Sequence, residues 1–230
     1  MTKGKDVFVS RETDEARRLI SEGLKELSLK VDEERLQTLV LYTLLIHRYN
    51  QKIRLCGYQT IEEIAKNLIL DSLVFFRLGI DLSRKRVLDV GSGAGIPSLP
   101  LKIYTNDWFL DLVEPSRKKS AFLWKAQKEL KIEKMRILTL KIEDLAGRGA
   151  GFYDLALTRA FGNFSFLLKQ LSPLLVRGGE VVFYQGEETS RRLKAALVEN
   201  FIFGFKLGRQ QKLVFSFLSH PRFLSVLKKI

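Results

Sequence analysis

Apolar positions in the first quarter of the chain recur with a helical spacing. Leu36, Leu39, Val40, Thr43, Leu44 and His47 stand at i, i+3, i+4, i+7, i+8 and i+11, which is one stripe of a 3.6-residue period. No Gly or Pro interrupts residues 24–56, so the spacing predicts helix over residues 12–56. A second helix is expected from Ile61 through "IEEIAKNLILDSLVFF". Thr60 can cap it, with Glu63 three residues later as the capping-box partner.

The period changes after Arg86. "RVLDV", "WFLDLV", "MRILTL", "YDLALT" and "EVVFYQ" are short β-prone runs separated by helix-like segments. One of these is "RKKSAFLWKAQKELK", where Leu123, Ala126 and Leu130 form an inner stripe. Strand and helix in alternation predict a parallel sheet covered on both faces. Near the end, "FIFGFKL" and "KLVFSFL" are separated only by "GRQQ". That spacer is too short for a parallel crossover, so these two runs are expected to form an antiparallel hairpin. The fold class expected is α/β: a Rossmann-like, mostly parallel seven-stranded sheet ending in an antiparallel hairpin, as in class I methyltransferases, with an N-terminal helical extension. The division expected is residues 1–60 for the extension and 61–230 for the sheet domain.

"VLDVGSGAG" is the stretch where this pattern suggests chemistry. An apolar strand reaches Asp89, and Gly91, Gly93 and Gly95 follow at every second position. Glycines admit positive φ and let a ligand approach without Cβ clashes, and helix-start N–H groups behind them suit an anionic or polar ligand. Three readings compete. A dinucleotide fingerprint requires G-x-G-x-x-G, and here the third glycine comes one place early. The S-adenosylmethionine (SAM) turn has an acid two residues before G-x-G-x-G, as Asp89 stands here. An ordinary tight βα turn is the third. Glu114, 25 residues after Asp89 at the end of the second strand, is placed to accept a ribose's hydroxyls. NAD binders share that feature, and a plain helix-start acid before Pro115 would look the same.

Charge adds a partner. The net charge is +13, and residues 91–230 hold 23 basic against 12 acidic side chains. Such a surplus favours an anionic partner, a polynucleotide above all, although a merely soluble basic surface has the same composition. One cysteine, Cys56, excludes an internal disulfide and reads as a packing residue. No apolar run approaches membrane-spanning length, and "MTKGKDVFVS" has no signal-peptide core. A cytoplasmic protein without membrane attachment is expected. His47 and His220 make no ligand spacing, and no metal is expected.

"NLILDSL", "VLDVGSGAGIPSLPLKI", "VEPSRKKSAFL", "IEDL" and "YDLALTRAFGN" occur here in the order seen in a known family. The chain resembles the bacterial small-subunit rRNA methyltransferase G family, also called glucose-inhibited division protein B, from about Tyr49 to the C-terminal hairpin. The resemblance implies SAM-dependent methylation of guanine N7, giving 7-methylguanosine at position 527 of 16S rRNA in reference rRNA numbering. It implies SAM contacts at Gly91 and Ile96 in the turn, at Ile142 and Glu143 after the third strand, and at Arg159 after the fourth. Glu114 would cover the ribose, and Ile142–Glu143 the adenine. Lys118 and Lys119 would face RNA or cofactor, unless they are the solvated first turn of a helix. Arg159 is the candidate for catalysis or for an RNA contact, and Phe161 and Phe164 either stack on a base or begin the next helix. The expected partner is 16S rRNA or the small ribosomal subunit, met by a monomer.

The chain departs from the family pattern at four places. Leu68 stands for a histidine, Ser98 for a glycine, Gln185 for a lysine, and "RLC" (Arg54 to Cys56) for Asn-Leu-Thr. These departures bear on the RNA target more than on the cofactor. Other readings therefore stay open: a SAM enzyme for another RNA, a protein or a small molecule, or a non-catalytic RNA-binding assembly factor. An NAD-type oxidoreductase is disfavoured by the early third glycine.

Overall fold

The computed structural model describes residues 3–147, 151–159, 162–199 and 203–230. Two helices, α1 (Lys3–Glu26) and α2 (Glu33–Ile53), pack on each other at the N-terminus. The continuous helix expected over residues 12–56 is thus broken once. After α1 the Leu29 amide turns back to the Leu24 carbonyl at 2.9 Å, with Ser28 at φ 56°. Asp32 then starts α2 by accepting the Arg35 amide at 2.8 Å. Ile20, Leu27, Leu39 and Ile46 are fully buried where the pair meets the rest of the molecule. Each such side chain contributes about 1.5–3 kcal/mol, so apolar burial holds the extension in place. The exposed Arg17–Glu33 ion pair adds little.

The next helical run behaves as its cap predicts and then departs from regular α-helix. Thr60 and Glu63 form the full capping box in front of α3 (Ile61–Ile64). A π segment (Ala65–Leu70) follows, then α4 (Asp71–Leu73) and a 3-10 turn (Val74–Leu78) ending at Gly79. Wide π turns often sit beside functional sites. This one leads directly into Asp71, a fully buried acid.

From Arg86 onward strands and helices alternate. The elements are β1 (Arg86–Val90), α5 (Ser98–Tyr104), β2 (Phe109–Val113), α6 (Arg117–Glu129), β3 (Met135–Leu138), α7 (Ile142–Ala146), β4 (Tyr153–Arg159), α8 (Phe164–Leu171), β5 (Leu175–Gln185), α9 (Glu187–Glu199), β6 (Phe205–Leu213) and β7 (Arg222–Lys229). Among the described residues they form one seven-stranded sheet of order β3-β2-β1-β4-β5-β7-β6. The first five strands are parallel, and β7 inserts antiparallel between β5 and β6. Central strands are buried on both faces, which explains their nearly continuous apolar runs. One face packs against the N-terminal helices, α5 and α6. The other packs against α8 and Leu193 of α9.

The hairpin exists, but not where the sequence pattern placed it. "GRQQ" is not its turn: Arg209, Gln210 and Gln211 lie within β6, paired with Val226, Ser225 and Leu224. The register slips between Leu207 and Arg209, at Gly208, as glycines in strands often mark bulges. The true turn covers residues 214–221. Since β6 is an edge strand, it tolerates the polar residues that had looked like a loop. Phe201 and Ile202, which opened the expected first strand, lie outside the described residues. Among the described residues, no helix is long and apolar enough to cross a membrane.

Candidate functional site

Ligands of open α/β sheets bind beyond the carboxyl ends of the strands, where strand order reverses. Here that point lies between β1 and β4, with Val90 opposite Thr158. The glycine turn leaves β1 at this point and is laced onto the end of β2, as Gly91 and Ser92 both donate backbone N–H bonds to the Val113 carbonyl. Gly91, Gly93 and Gly95 have φ of 73°, 57° and 86°. Their surroundings separate their roles. A Cβ on Gly91 would meet nothing within 4 Å, and one on Gly93 only the Gly91 carbonyl at 3.9 Å. A Cβ on Gly95 would lie 2.3 Å from Leu99 Cδ1 and 3.1 Å from Leu123 Cδ2. The first two glycines leave open space at the turn, and the third allows α5 and α6 to pack closely.

Two carboxylates stand behind the turn. Glu114 is 5% exposed and accepts the Gly93 amide through Oε2 and the Ser116 amide through Oε1, each at 2.9 Å. It therefore shapes the turn, and each oxygen keeps a lone pair for a ligand hydroxyl. Asp89 is completely buried, and neither of its oxygens has a hydrogen-bond partner of good geometry. Burial pushes its pKa up to about 7, opposed by the hydroxyl and amide of Ser98 and reinforced by the Glu114 charge. Ser98, one of the departures from the family pattern, thus lies beside the orphaned acid, and its own Oγ is also unpartnered. From the other side the buried Tyr42 of α2 donates its hydroxyl to the Ala94 carbonyl. The N-terminal extension thereby clamps the turn.

The remaining expected contacts are distributed around this point. Ile96 and Ile142 are buried, at 7% and 5% exposure, and Glu143 is exposed at the start of α7. Ile142 packs in the cluster containing Val90 and Val113, so it lies beside the ends of β1 and β2. Lys118 and Lys119 divide: Lys118 is exposed, whereas Lys119 is half-buried and its charge acts on Cys56, as does that of Arg159. Burial is the larger influence on Cys56 and raises its thiol pKa. Phe164 is buried against Phe183, ring centroids 5.7 Å apart, so it serves the core. Phe161 lies outside the described residues.

The largest surprise is at Arg159. Its guanidinium is 15% exposed, lies 3.0 Å from Asp71 Oδ2, and donates to the Asn67 carbonyl in the π segment at 2.7 Å. Arg222, from β7, donates to Asp71 Oδ1 at 2.7 Å and is 19% exposed. Asp71 belongs to "LDSL" and Arg159 to "LTRAF", so an ion pair joins two stretches the sequence had singled out separately. Ser72 of "LDSL" also accepts the Tyr184 hydroxyl through its carbonyl at 2.8 Å. Arg222 carries no local motif, and its partner lies 151 residues away. Only the burial of Asp71 within an apolar helical run could have hinted that it needed a cation. Gln185, where the family pattern has a lysine, is 4% exposed and accepts the Ser225 hydroxyl at 2.8 Å. Leu68 is an ordinary core residue at 5% exposure.

A pocket of about 280 Å³ opens beside these arginines, lined among others by Tyr58, Thr158, Arg159, Gln185 and Arg222. A larger cleft of about 500 Å³, bordered by Asp107 and Lys131 to Lys134, lies at the opposite, amino ends of β2 and β3. It mixes both signs of charge, and its one strongly perturbed base, Lys102, is occupied by the Asn106 and Trp108 carbonyls. The carboxyl end of the sheet is therefore the candidate site despite its smaller cavity.

Among solved structures, a SAM-dependent methyltransferase from Aquifex aeolicus superposes with a TM-score of 0.57 at 14% identity, covering 73% of this chain and 93% of that one. The tRNA (m1A58) methyltransferase TrmI of the same organism gives 0.53 at 17%, covering 70% and 68%. These likenesses show the fold. In sequence, the ribosomal RNA small subunit methyltransferase G of Moorella thermoacetica is 34% identical over 78% of this chain and 75% of its own length. Its counterpart from Brachyspira hyodysenteriae is 30% identical over 74% and 82%. The model of the family described as rRNA small subunit methyltransferase G matches residues 35–213. The matched residues run from α2 to the end of β6, more than half of the chain, and the chain belongs to the rRNA small subunit methyltransferase G family.

Proposed function

We propose that this protein transfers a methyl group from SAM to N7 of a guanine in 16S rRNA, either free or in the small ribosomal subunit. The family match over residues 35–213 carries this reading. When bound, SAM supplies an electrophilic methyl group on a positively charged sulfur. The residues present suit it: open space over Gly91 and Gly93, an orphaned buried carboxylate at Asp89, and free lone pairs on Glu114. Gly91, Gly93 and Ile96 would hold it at the turn, Glu114 at the ribose, and Ile142 with Glu143 at the adenine.

Guanine N7 carries a lone pair and no proton, so the chain need not supply a general base. No Asn-Pro-Pro-Tyr or Asp-Pro-Pro-Tyr box, as used for exocyclic amines, follows β4; "LTRAFGN" stands there. What remains for the residues is positioning and charge. Glu114 places negative charge near the cationic methyl donor, joined by Asp89 above about pH 7, and Arg159 with Lys119 places positive charge toward the RNA. Residues 1–60 act as a helical extension that braces the turn, and residues 61–230 act as the transfer domain. The protein works as a monomer in the cytoplasm. Mass spectrometry of 16S rRNA from a strain lacking this gene is the test. Loss of 7-methylguanosine at one position is expected, and an unchanged 7-methylguanosine content would refute the assignment.

A further inference from the structure

The chain's two tryptophans are used in opposite ways. Trp108 is fully buried, donates its indole N–H to the Thr105 carbonyl at 2.5 Å, and has Lys102 over its ring. Trp124, on α6, is 52% exposed. Among the described residues its indole makes no hydrogen bond, and neither a ring nor a cation stacks on it. Aromatic area left in water on a rigid helix gains from a partner that covers it.

The neighbours of Trp124 indicate the chemistry of that partner. Arg117, Ala121, Trp124 and Lys128 recur at i, i+4, i+7 and i+11, so they form one stripe along the outer face of α6. Leu123 and Ala126 occupy its buried face. Every exposed side chain of α6 is basic except Ala121 and Trp124. Glu129 is half-buried and spent on Lys125 at 2.7 Å, whereas Arg117, Lys118 and Lys128 pair with no acid among the described residues. Helix α2 lies alongside, with Tyr49 against Phe122, ring centroids 5.5 Å apart. Its exposed Arg48 and Lys52 add two more cations without an acid among the described residues. From Ser116, whose amide is held by Glu114, the stripe runs about 12 Å to Trp124 and about 18 Å to Lys128. It therefore leads away from the glycine turn along the flank of the sheet.

A polynucleotide matches both parts of this surface. It carries a phosphate at every unit for the cations, and an unpaired base offers a π-face to the indole. We propose that the outer face of α6 is a second contact surface for the substrate RNA, outside the carboxyl end of the sheet. An unpaired base stacks on Trp124, and the phosphates on either side of it lie against Arg117 and Lys128. The surface prolongs the positive charge that begins at Lys118 and Lys119, and it rests on the reading that the protein acts on rRNA.

The test uses the difference between the two tryptophans. Unmethylated 16S rRNA from the strain lacking the gene is titrated into the protein, and tryptophan emission is read with and without acrylamide, a neutral quencher. Saturating RNA is expected to quench Trp124 and to close it to acrylamide. In Trp124→Phe the remaining emission, from buried Trp108, is expected not to respond to RNA. Trp124→Ala is expected to weaken RNA binding about tenfold with the log–log salt slope unchanged, since stacking releases no counterions. Trp124→Phe is expected to recover most of that loss. Lys128→Met is expected to make the slope shallower by about 0.7. SAM affinity, measured by calorimetry, is expected to stay at the wild-type value in all three variants, which also shows that they fold. A Trp124 that stays open to acrylamide at saturating rRNA, or wild-type RNA affinity in Trp124→Ala, would overturn the surface. Shielding of Trp124 by assembled small subunits but not by naked rRNA would assign the face to a ribosomal protein and overturn it as well. Methyl transfer by the wild-type protein separates this inference from the reading it rests on. A protein whose Trp124 is covered by rRNA yet transfers no methyl group would sink that reading and leave the surface standing. One that methylates 16S rRNA while Trp124 stays open would do the reverse.

Discussion

The two sides of the carboxyl end of the sheet are built from opposite materials. Toward β1 and β2 lie backbone amides and two open glycine positions, with the buried carboxylates of Asp89 and Glu114 behind them. Toward β4, β5 and β7 lie two arginines, a buried carboxylate behind them and a hydroxyl without a partner. One side suits a compact cation with a ribose, and the other suits a polyanion. The division follows from topology: the strand order reverses between β1 and β4, so the chain can furnish each side from separate segments. Charge also differs in kind. Beside β1 it is a buried acid without an ion-pair partner, Asp89, whereas beside β4 it is a buried acid, Asp71, paired with two arginines.

That difference can be broken most severely at Asp71. Asp71→Ala leaves Arg159 and Arg222 facing each other away from water, and a stability loss of about 3–5 kcal/mol is expected in urea unfolding. Asp89 responds in the other direction. Its pKa in the folded chain stands near 7, against an ordinary value of 3.8. The folded protein therefore keeps a proton that the unfolded chain releases between these values. The stability contributed by protonated Asp89 is complete below about pH 4, declines as pH rises to about 7, and is gone above it. Asp89→Asn is expected to flatten this decline by roughly 2–4 kcal/mol, measured as unfolding free energy across the same pH range. An unchanged slope would mean that Asp89 is ionised and solvated in the fold.

A smaller effect separates the glycines. Gly95→Ala forces a methyl group into Leu99 and is expected to cost about 1–3 kcal/mol of stability. Gly93→Ala meets open space and carries only the strain of its positive φ, about 1–2 kcal/mol, yet it narrows the surface offered to SAM. Stability should thus fall more at Gly95, and cofactor affinity more at Gly93. The reverse order would show that the roles of the two glycines have been exchanged.

Much of the glycine turn was legible in the sequence because it is local. Asp89 through Gly95 lie in one turn, and Glu114 follows one strand later. The capping box at Thr60 and Glu63 was equally local, as were the five parallel strands. The cluster of Asp71 with two arginines was half hidden. Arg159 and "LDSL" were visible as separate features, but their meeting is a tertiary event, and Arg222 joins from a strand whose position had been misjudged. The hairpin was misplaced because a polar edge strand reads as a turn. The break between α1 and α2 was missed because it uses Ser28 rather than glycine, although Asp32 followed by Glu33 and Glu34 is a helix-start signal in itself. Tyr42 gave no sign of its bond to Ala94, since a tyrosine in an apolar helical run looks the same whether or not its hydroxyl is satisfied.

The claim that cofactor and RNA are held by separate surfaces is tested most directly by measuring SAM and 16S rRNA affinities on Gly93→Ala, Trp124→Ala and the double variant. Gly93→Ala is expected to weaken SAM and spare RNA, Trp124→Ala to weaken RNA and spare SAM, and the double variant to show both losses without interaction. If either single variant weakened both ligands to a similar degree, the surfaces would not be divided in this way.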